Sequence, residues 1–266
     1  MNVTNKNNEL SLAPDLTIGG DNILLMLGPC SVESYDQTHA IAKLIHQLGL
    51  RIIRGGAFKP RTSPDSFQGL GEEGLKILRT VADEFDLLVV SEALGVEQLP
   101  LVAEYADIIQ IGSRNMQHYP LLWAVGELKI PVLLKRGFMS TVDEWLAAAE
   151  HIASRGNQEI ILCERGIRTF ETSTRNTLDT NSIALLKQIS PFPVLGDPSH
   201  ATGRADLVIP AARAALAAGA DGLLVEIHPN PGKALSDGGQ SLNLEEAKGL
   251  VLQTTRLAEA LQRGIA

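Results

Sequence analysis

Eight short apolar runs, each ending in polar residues or in Gly and Pro, punctuate the chain. They are "ILLMLGPCS" from Ile23, "RIIRGGAF" from Arg51, "LLVVSEA" from Leu87 and "IIQIGSR" from Ile108, then "PVLLKRG" from Pro131, "IILCERG" from Ile160, "PVLGDPSH" from Pro193 and "GLLVEIH" from Gly222. A parallel strand buried on both faces has this look where it emerges into a loop. The runs recur every ~20 to 36 residues, the length of a strand-plus-helix unit. Between them lie amphipathic segments. "SYDQTHAIAKLIHQLG" sets Ala40, Ile41, Leu44, Ile45 and Leu48 at helical spacing, with Ser34 as N-cap and Gly49 as stop. "TVDEWLAAAEHIASRG" repeats the design from Thr141 to Gly156, and "DLVIPAARAALAAGA" and "LNLEEAKGLVLQTTRLAEALQ" supply the last two helices.

Strand and helix therefore alternate eight times, with no Gly/Ser-rich linker and no charge run between halves. This pattern predicts an α/β fold, a (β/α)8 TIM barrel in a single domain over residues 21–266, preceded by a short N-terminal arm or plug over 1–20. A doubly wound open sheet is the competing architecture, but no dinucleotide fingerprint supports it. The composition agrees: 266 residues, 44% hydrophobic and only 4% aromatic, suit aliphatic strands under Ala/Leu-rich helices. A net charge of −8 argues against nucleic-acid binding, so any cationic cluster is local and aimed at a small anion. Two cysteines, Cys30 and Cys163, make no disulfide framework. With neither a leader pattern nor a membrane-spanning apolar run, the chain reads as cytoplasmic, with no membrane partner.

In such a barrel the C-terminal strand ends converge on one pocket. Read in order, they offer Cys30; Arg54 with Lys59 and Arg61; Glu92; Arg114; Lys135; Glu164 and Arg165; Asp197 and His200; and Glu226 with Asp237 just beyond. Six of these are cations, which would repel one another across a shared mouth unless anions lay between them. Pairing with Glu92, Glu164 and Asp197 would account for one or two. The remainder imply substrates with several negative charges, since arginine forks suit phosphate and carboxylate oxygens. Cys30, His200, Glu226 and Asp237 form a mixed soft and hard donor set that suits a divalent transition metal such as Mn, Fe, Co or Zn. A buried structural cysteine beside a satisfied histidine is the competing account. Cys163, two residues before Arg165, reads as barrel filling, Trp123 and Trp145 as core or interface, and His39, His46 and His151 as helix-surface or packing residues.

The motifs "GPCSVES", "RGGAFKPRTSP", "QIGSRNMQ", "PVLLKRG", "CERGIRTFE", "DPSHATG" and "VEIHPNPGKALSDGGQSL" run in order from Gly28 to Leu242. With them the chain resembles the 3-deoxy-D-arabino-heptulosonate 7-phosphate (DAHP) synthases, in the type I beta subgroup that lies close to the 3-deoxy-D-manno-octulosonate 8-phosphate synthases. The resemblance implies a metal-dependent condensation of phosphoenolpyruvate with D-erythrose 4-phosphate that releases phosphate, the first step of the shikimate pathway. It implies Cys30, His200, Glu226 and Asp237 as metal ligands. Arg114 and Arg165, with Ser113 and Lys135 nearby, would hold the phosphoenolpyruvate phosphate. Arg54, Lys59 and Lys135 would surround its carboxylate. Arg61 and Thr62 would contact the aldose phosphate, and Glu92 would lie near the reacting centre. Lys59 and His200 are the candidates for proton transfer. A homodimer or homotetramer is implied as well.

Three other readings compete. The octulosonate 8-phosphate synthases use arabinose 5-phosphate and resemble "KANRSS" where this chain has "KPRTSP", so the loop favours the heptulosonate branch. A metal-free Schiff-base aldolase would use Lys135 as nucleophile. A catalytically silent barrel would have lost one of the four ligands, and all four are present. Because neither an added regulatory domain nor a fused mutase fits beside the barrel, feedback inhibition by aromatic amino acids is expected to be absent or weak; assays with micromolar Phe or Tyr check this, and a clear fall in activity would overturn it.

Overall fold

In the computed structural model, which describes residues 9–59 and 65–266, the eight branched runs form a closed ring of parallel strands. A hairpin of β1 (Leu10–Ala13) and β2 (Leu16–Ile18) precedes them. The ring comprises β3 (Asn22–Gly28), β4 (Ile52–Arg54), β5 (Leu88–Glu92), β6 (Ile108–Ile111), β7 (Val132–Lys135), β8 (Ile160–Glu164), β9 (Val194–Gly196) and β10 (Gly222–Glu226). Each pairs with the next in chain order, and β10 closes on β3 with Gly222 opposite Leu24 and Glu226 opposite Gly28. A last short strand, β11 (Gly264–Ile265), adds alongside β3. The fold is the (β/α)8 barrel that the rhythm of the sequence predicts.

The helices are α1 (Tyr35–Gln47), α2 (Glu72–Glu84), α3 (Leu99–Tyr105), α4 (Tyr119–Gly126), α5 (Val142–Ala153), α6 (Thr180–Ile189), α7 (Pro198–Thr202), α8 (Ala205–Ala217) and α9 (Leu244–Ala260). The start signals act as read. Ser34 Oγ accepts from Gln37 N at 3.1 Å, and Thr141 and Glu144 form a reciprocal capping box. The short α7 is additional to the eight-fold alternation. It forms because Asp197 caps it and Pro198 opens it, and it sets His200 within one turn of the end of β9.

Alternate residues of each strand serve two different cores. Ile23, Leu25 and Leu27 of β3 face the helices, where they pack with Ile41, Leu44 and Ile45 of α1; Trp145 of α5 is fully buried in the same layer. Leu24 and Met26 face the barrel axis, with Ile52, Val90, Ile108, Leu133, Ile161, Cys163, Leu195 and Leu224 from the other strands. Cys163 thus fills the barrel, as its position predicts. Leu16 and Ile18 of the hairpin join this inner cluster and cover it at the N-terminal end of the ring, Ile18 with no exposed surface. Of the two tryptophans read as core or interface, Trp145 is core and Trp123 is 37% exposed, outside the core.

Ile18→Ala removes a buried plug side chain far from the strand C-termini. It should destabilise the fold by about 2–5 kcal/mol in chemical denaturation and leave turnover per folded molecule unchanged.

Candidate functional site

Directly above the inner apolar layer, the same alternation turns polar. Arg54 comes two residues after Ile52, Glu92 after Val90, Gln110 after Ile108 and Lys135 after Leu133. Arg165 follows Cys163, Asp197 follows Leu195 and Glu226 follows Leu224 at the same interval. Arg54, Glu92, Gln110, Lys135 and Arg165 line a cavity of about 330 Å³ at the C-terminal ends of the strands, into which Lys59, Ser113, Arg114, Phe138, Arg175, His200 and Asp237 reach from the loops. Asp197 and Glu226 lie buried beside it, paired with Lys135 and Arg54. Glu164 has the opposite parity. It points toward the helices, where Arg136 Nη1 donates to Glu164 at 2.9 Å and to Asp179 at 2.9 Å. The expectation that Glu164 faces the pocket is therefore corrected by strand alternation. Arg61 and Thr62 lie outside the described residues.

One wall carries sulfur and carboxylates. Ligand atoms of Cys30, Glu226 and Asp237 lie within 4.8 Å of one another. His200 adjoins this group: its Nε2 is 3.4 Å from Glu226 Oε1, while its Nδ1 shares a 2.7 Å hydrogen bond with Asp197. Asp197 also accepts from Lys135 Nζ at 2.6 Å, so one buried carboxylate orients the imidazole and holds the lysine. Burial works against the Asp197 charge, yet His200 and Lys135 hold its carboxyl well below the usual range. Glu226 is likewise buried but kept far below its ordinary value by His200, Arg54 and Lys59. Burial pushes the Cys30 thiol up to about 11, with the Glu226 charge adding to it and Lys59 opposing it. A thiol and two carboxylates converging in a buried corner, with an imidazole nitrogen alongside, fit a divalent transition metal; so closely spaced a set of donors has no packing reason to converge.

The loops that bear these groups are locked to one another. Lys59 Nζ donates to Cys30 O at 3.0 Å and to Cys30 Sγ at 3.1 Å. Gly56 permits that approach, since a Cβ there would lie 2.8 Å from Cys30 O. Ser31 and Ser236 share a 2.5 Å hydrogen bond, and Glu33 accepts from Leu235 N and meets His228 at 3.3 Å, which ties the Asp237 loop to the Cys30 loop. Gln240 Nε2 donates to Glu226 Oε2 at 2.7 Å. Arg175 donates to Gln240 Oε1 at 2.8 Å and to Asp237 Oδ1 at 3.3 Å.

The cations divide into two kinds. Arg54 Nη1 donates to Glu226 at 2.9 Å and to Pro29 O at 2.8 Å, and Lys135 is paired with Asp197. Arg54 Nε, however, is buried with no hydrogen-bond partner among the described residues. Arg114 and Arg165 lie against Phe138 in the cavity lining, and among the described residues neither is ion-paired to a carboxylate. Burial lowers the Arg165 pKa, with Asp197 only partly opposing. Glu92 accepts from Gln110 Nε2 at 3.0 Å.

Sequence reasoning passed over Gln110, Phe138, Arg175 and Gln240. Gln110 was within reach, because a polar residue in the inward register of a buried strand has no other use. Arg175 and Gln240 carry no local signal, since their partners come from loops 62 and 14 residues away.

Residues 1–263 match the DAHP synthetase I family. A phospho-2-dehydro-3-deoxyheptonate aldolase from Thermotoga maritima is 56% identical over 93% of this chain and 73% of its own length. A crystal structure of such an enzyme from that organism, described as a DAHP synthase, superposes with a TM-score of 0.95 at 54% identity, covering 97% of this chain and 75% of that one. A 2-dehydro-3-deoxyphosphooctonate aldolase from Syntrophotalea carbinolica is 34% identical over 88% of this chain and 90% of its own.

A Cβ on Gly112 would come 2.0 Å from Glu92 Oε1, so Gly112→Ala must displace that carboxylate from Gln110. A side-chain end can move where backbone cannot, so the variant should fold with stability within about 1 kcal/mol of the parent. Its turnover should fall at least about tenfold if Glu92 acts at the reacting centre; steady-state kinetics beside a melting curve check both.

Proposed function

This chain belongs to the DAHP synthetase I family and condenses phosphoenolpyruvate with D-erythrose 4-phosphate to 3-deoxy-D-arabino-heptulosonate 7-phosphate and phosphate, and we propose that the strand-end cavity described above is where it does so. The observation that carries this assignment is the division of the cavity into a sulfur-and-carboxylate wall and a wall of arginines free of carboxylate partners. A carbon–carbon bond between two phosphorylated anions needs both: cations to hold the anions face to face, and an electrophilic centre beside them.

In this reading Arg114 and Arg165, with Ser113 beside them, bind the phosphoenolpyruvate phosphate. Arg54, Lys59 and Lys135, which all line the cavity, receive the carboxylate. Arg61 and Thr62 contact the aldose phosphate. Cys30, His200, Glu226 and Asp237 hold a divalent metal, Cys30 giving up its proton on binding. Such a metal supplies Lewis-acid polarisation of a carbonyl oxygen. The enol carbon attacks the aldehyde, whose oxygen takes up a proton. Water then captures the oxocarbenium-like C2 and loses a proton, and the resulting phosphohemiketal breaks its C2–O bond to phosphate, leaving the ketone and inorganic phosphate. Lys59, with its Nζ between Cys30 and the cavity, and His200, positioned by Asp197, are the groups proposed to move protons; Glu92 stabilises positive charge near the reacting carbon. The same reading makes the chain a cytoplasmic homodimer or homotetramer. Among the described residues no helix is long and apolar enough to cross a membrane.

The octulosonate alternative is weaker, because the relative of that name is 34% identical where the heptulosonate relative is 56%. The Schiff-base alternative meets Lys135 Nζ already engaged by Asp197 at 2.6 Å.

Turnover with erythrose 4-phosphate should exceed that with arabinose 5-phosphate, and EDTA should abolish it. Cys30→Ala should lose bound metal and activity together. Equal or greater turnover with arabinose 5-phosphate would reverse the aldose assignment. A substrate adduct trapped by borohydride in EDTA would replace the mechanism.

A further inference from the structure

Phe138 stands where three guanidinium groups meet. Its ring lies in the cavity wall three residues beyond Lys135. The guanidinium carbons of Arg165, Arg168 and Arg114 lie 4.6, 5.3 and 5.5 Å from the ring centroid. Among the described residues none of the three arginines is ion-paired to a carboxylate, although acidic side chains engage Arg54, Lys135, Arg136 and Arg175 nearby. Three like charges gathered at one point repel one another. The negative face of an aromatic ring offsets part of that repulsion without neutralising the charges, and so leaves them available to an anion. A carboxylate in the same place would compete with the ligand.

The loop that bears the ring is also tied to the loops on either side of it. Gly137 N donates to Met116 Sδ at 3.0 Å, two residues beyond Arg114. Arg136 Nε donates to Ser140 O at 2.9 Å, closing the turn around Phe138. Arg168 N donates to Phe138 O at 2.7 Å. The loops after β6, β7 and β8 therefore meet at this residue, and each contributes either the ring or an arginine beside it.

We propose that Phe138 is a positioning residue for the phosphate end of the cavity, its ring spacing Arg114 and Arg165 for a phosphoryl group and drawing in Arg168 as a third cation. The proposal rests on the reading above that Arg114 and Arg165 hold the phosphoenolpyruvate phosphate, and it adds to that reading both the ring and an exposed arginine that does not line the cavity.

The probe is inorganic phosphate, titrated calorimetrically into the full chain and used as an inhibitor against phosphoenolpyruvate. Phe138→Leu keeps an apolar side chain but removes the ring. It should weaken phosphate binding and raise the KM for phosphoenolpyruvate about tenfold, leave kcat within about twofold and leave the melting temperature unchanged. Phe138→Tyr, which keeps the ring, should bind phosphate as the parent does. Arg168→Gln, on the surface, should weaken phosphate binding in the same direction. If Phe138→Leu and Arg168→Gln both bind phosphate like the parent while Arg165→Ala does not, the proposal is overturned and the phosphate site stands. If Arg165→Ala also binds like the parent, the phosphate site falls with it. A Phe138→Tyr variant as weak as Phe138→Leu overturns the role of the ring.

Discussion

A parallel ring covered by helices outside and filled by side chains inside has no exposed strand face. Each strand must be apolar on both sides until it nears the ring's end, and only there can an inward-facing residue be charged. That constraint organises this molecule. Leu24, Met26, Ile52, Val90, Leu133, Ile161, Leu195 and Leu224 make the inner layer dry. One alternation later the same faces present Arg54, Glu92, Gln110, Lys135, Arg165, Asp197 and Glu226. The dry layer also sets the electrostatics: ions seated on it have little water beneath them, so each needs a charged partner or a ligand.

The partnering is uneven, and the unevenness carries the functional reading. Glu226 is coupled to Arg54, His200 and Gln240, Asp197 to Lys135 and His200, and Asp237 to Arg175 and the Cys30 thiol. This buried corner beside the cavity is a network in which most polar atoms are satisfied, and rigidity of that kind would suit the metal site proposed for it. Elsewhere, Arg114 and Arg165 of the lining, with the exposed Arg168 outside it, gather around Phe138, an aromatic ring in place of acids. Charges left without counter-ions there are what the proposed phosphate site rests on.

Much of this was legible before any coordinates. The eight strands and four of the helices, α1, α5, α8 and α9, follow from apolar runs, helical spacing and cap residues, because burial on two faces and capping are local demands written into local sequence. Ser34 and Thr141 cap the helices they were expected to cap. The pocket cations and the four donors Cys30, His200, Glu226 and Asp237 were named from strand ends alone. The error at Glu164 came from treating neighbours as equivalent: Glu164 and Arg165 are adjacent in sequence, and a strand sends adjacent side chains to opposite faces.

What the sequence determined by itself, then, was the barrel, the end of it that holds the chemistry, and the list of residue types gathered there, since each depends on spacing along one stretch of chain. Only the tertiary structure decided which charge faces which. The pairing of Arg54 with Glu226 spans 172 residues, and that of Cys30 with Asp237 spans 207. No pattern within a strand can encode such a contact, because it exists only once β10 has closed against β3 and brought the two ends of the ring together.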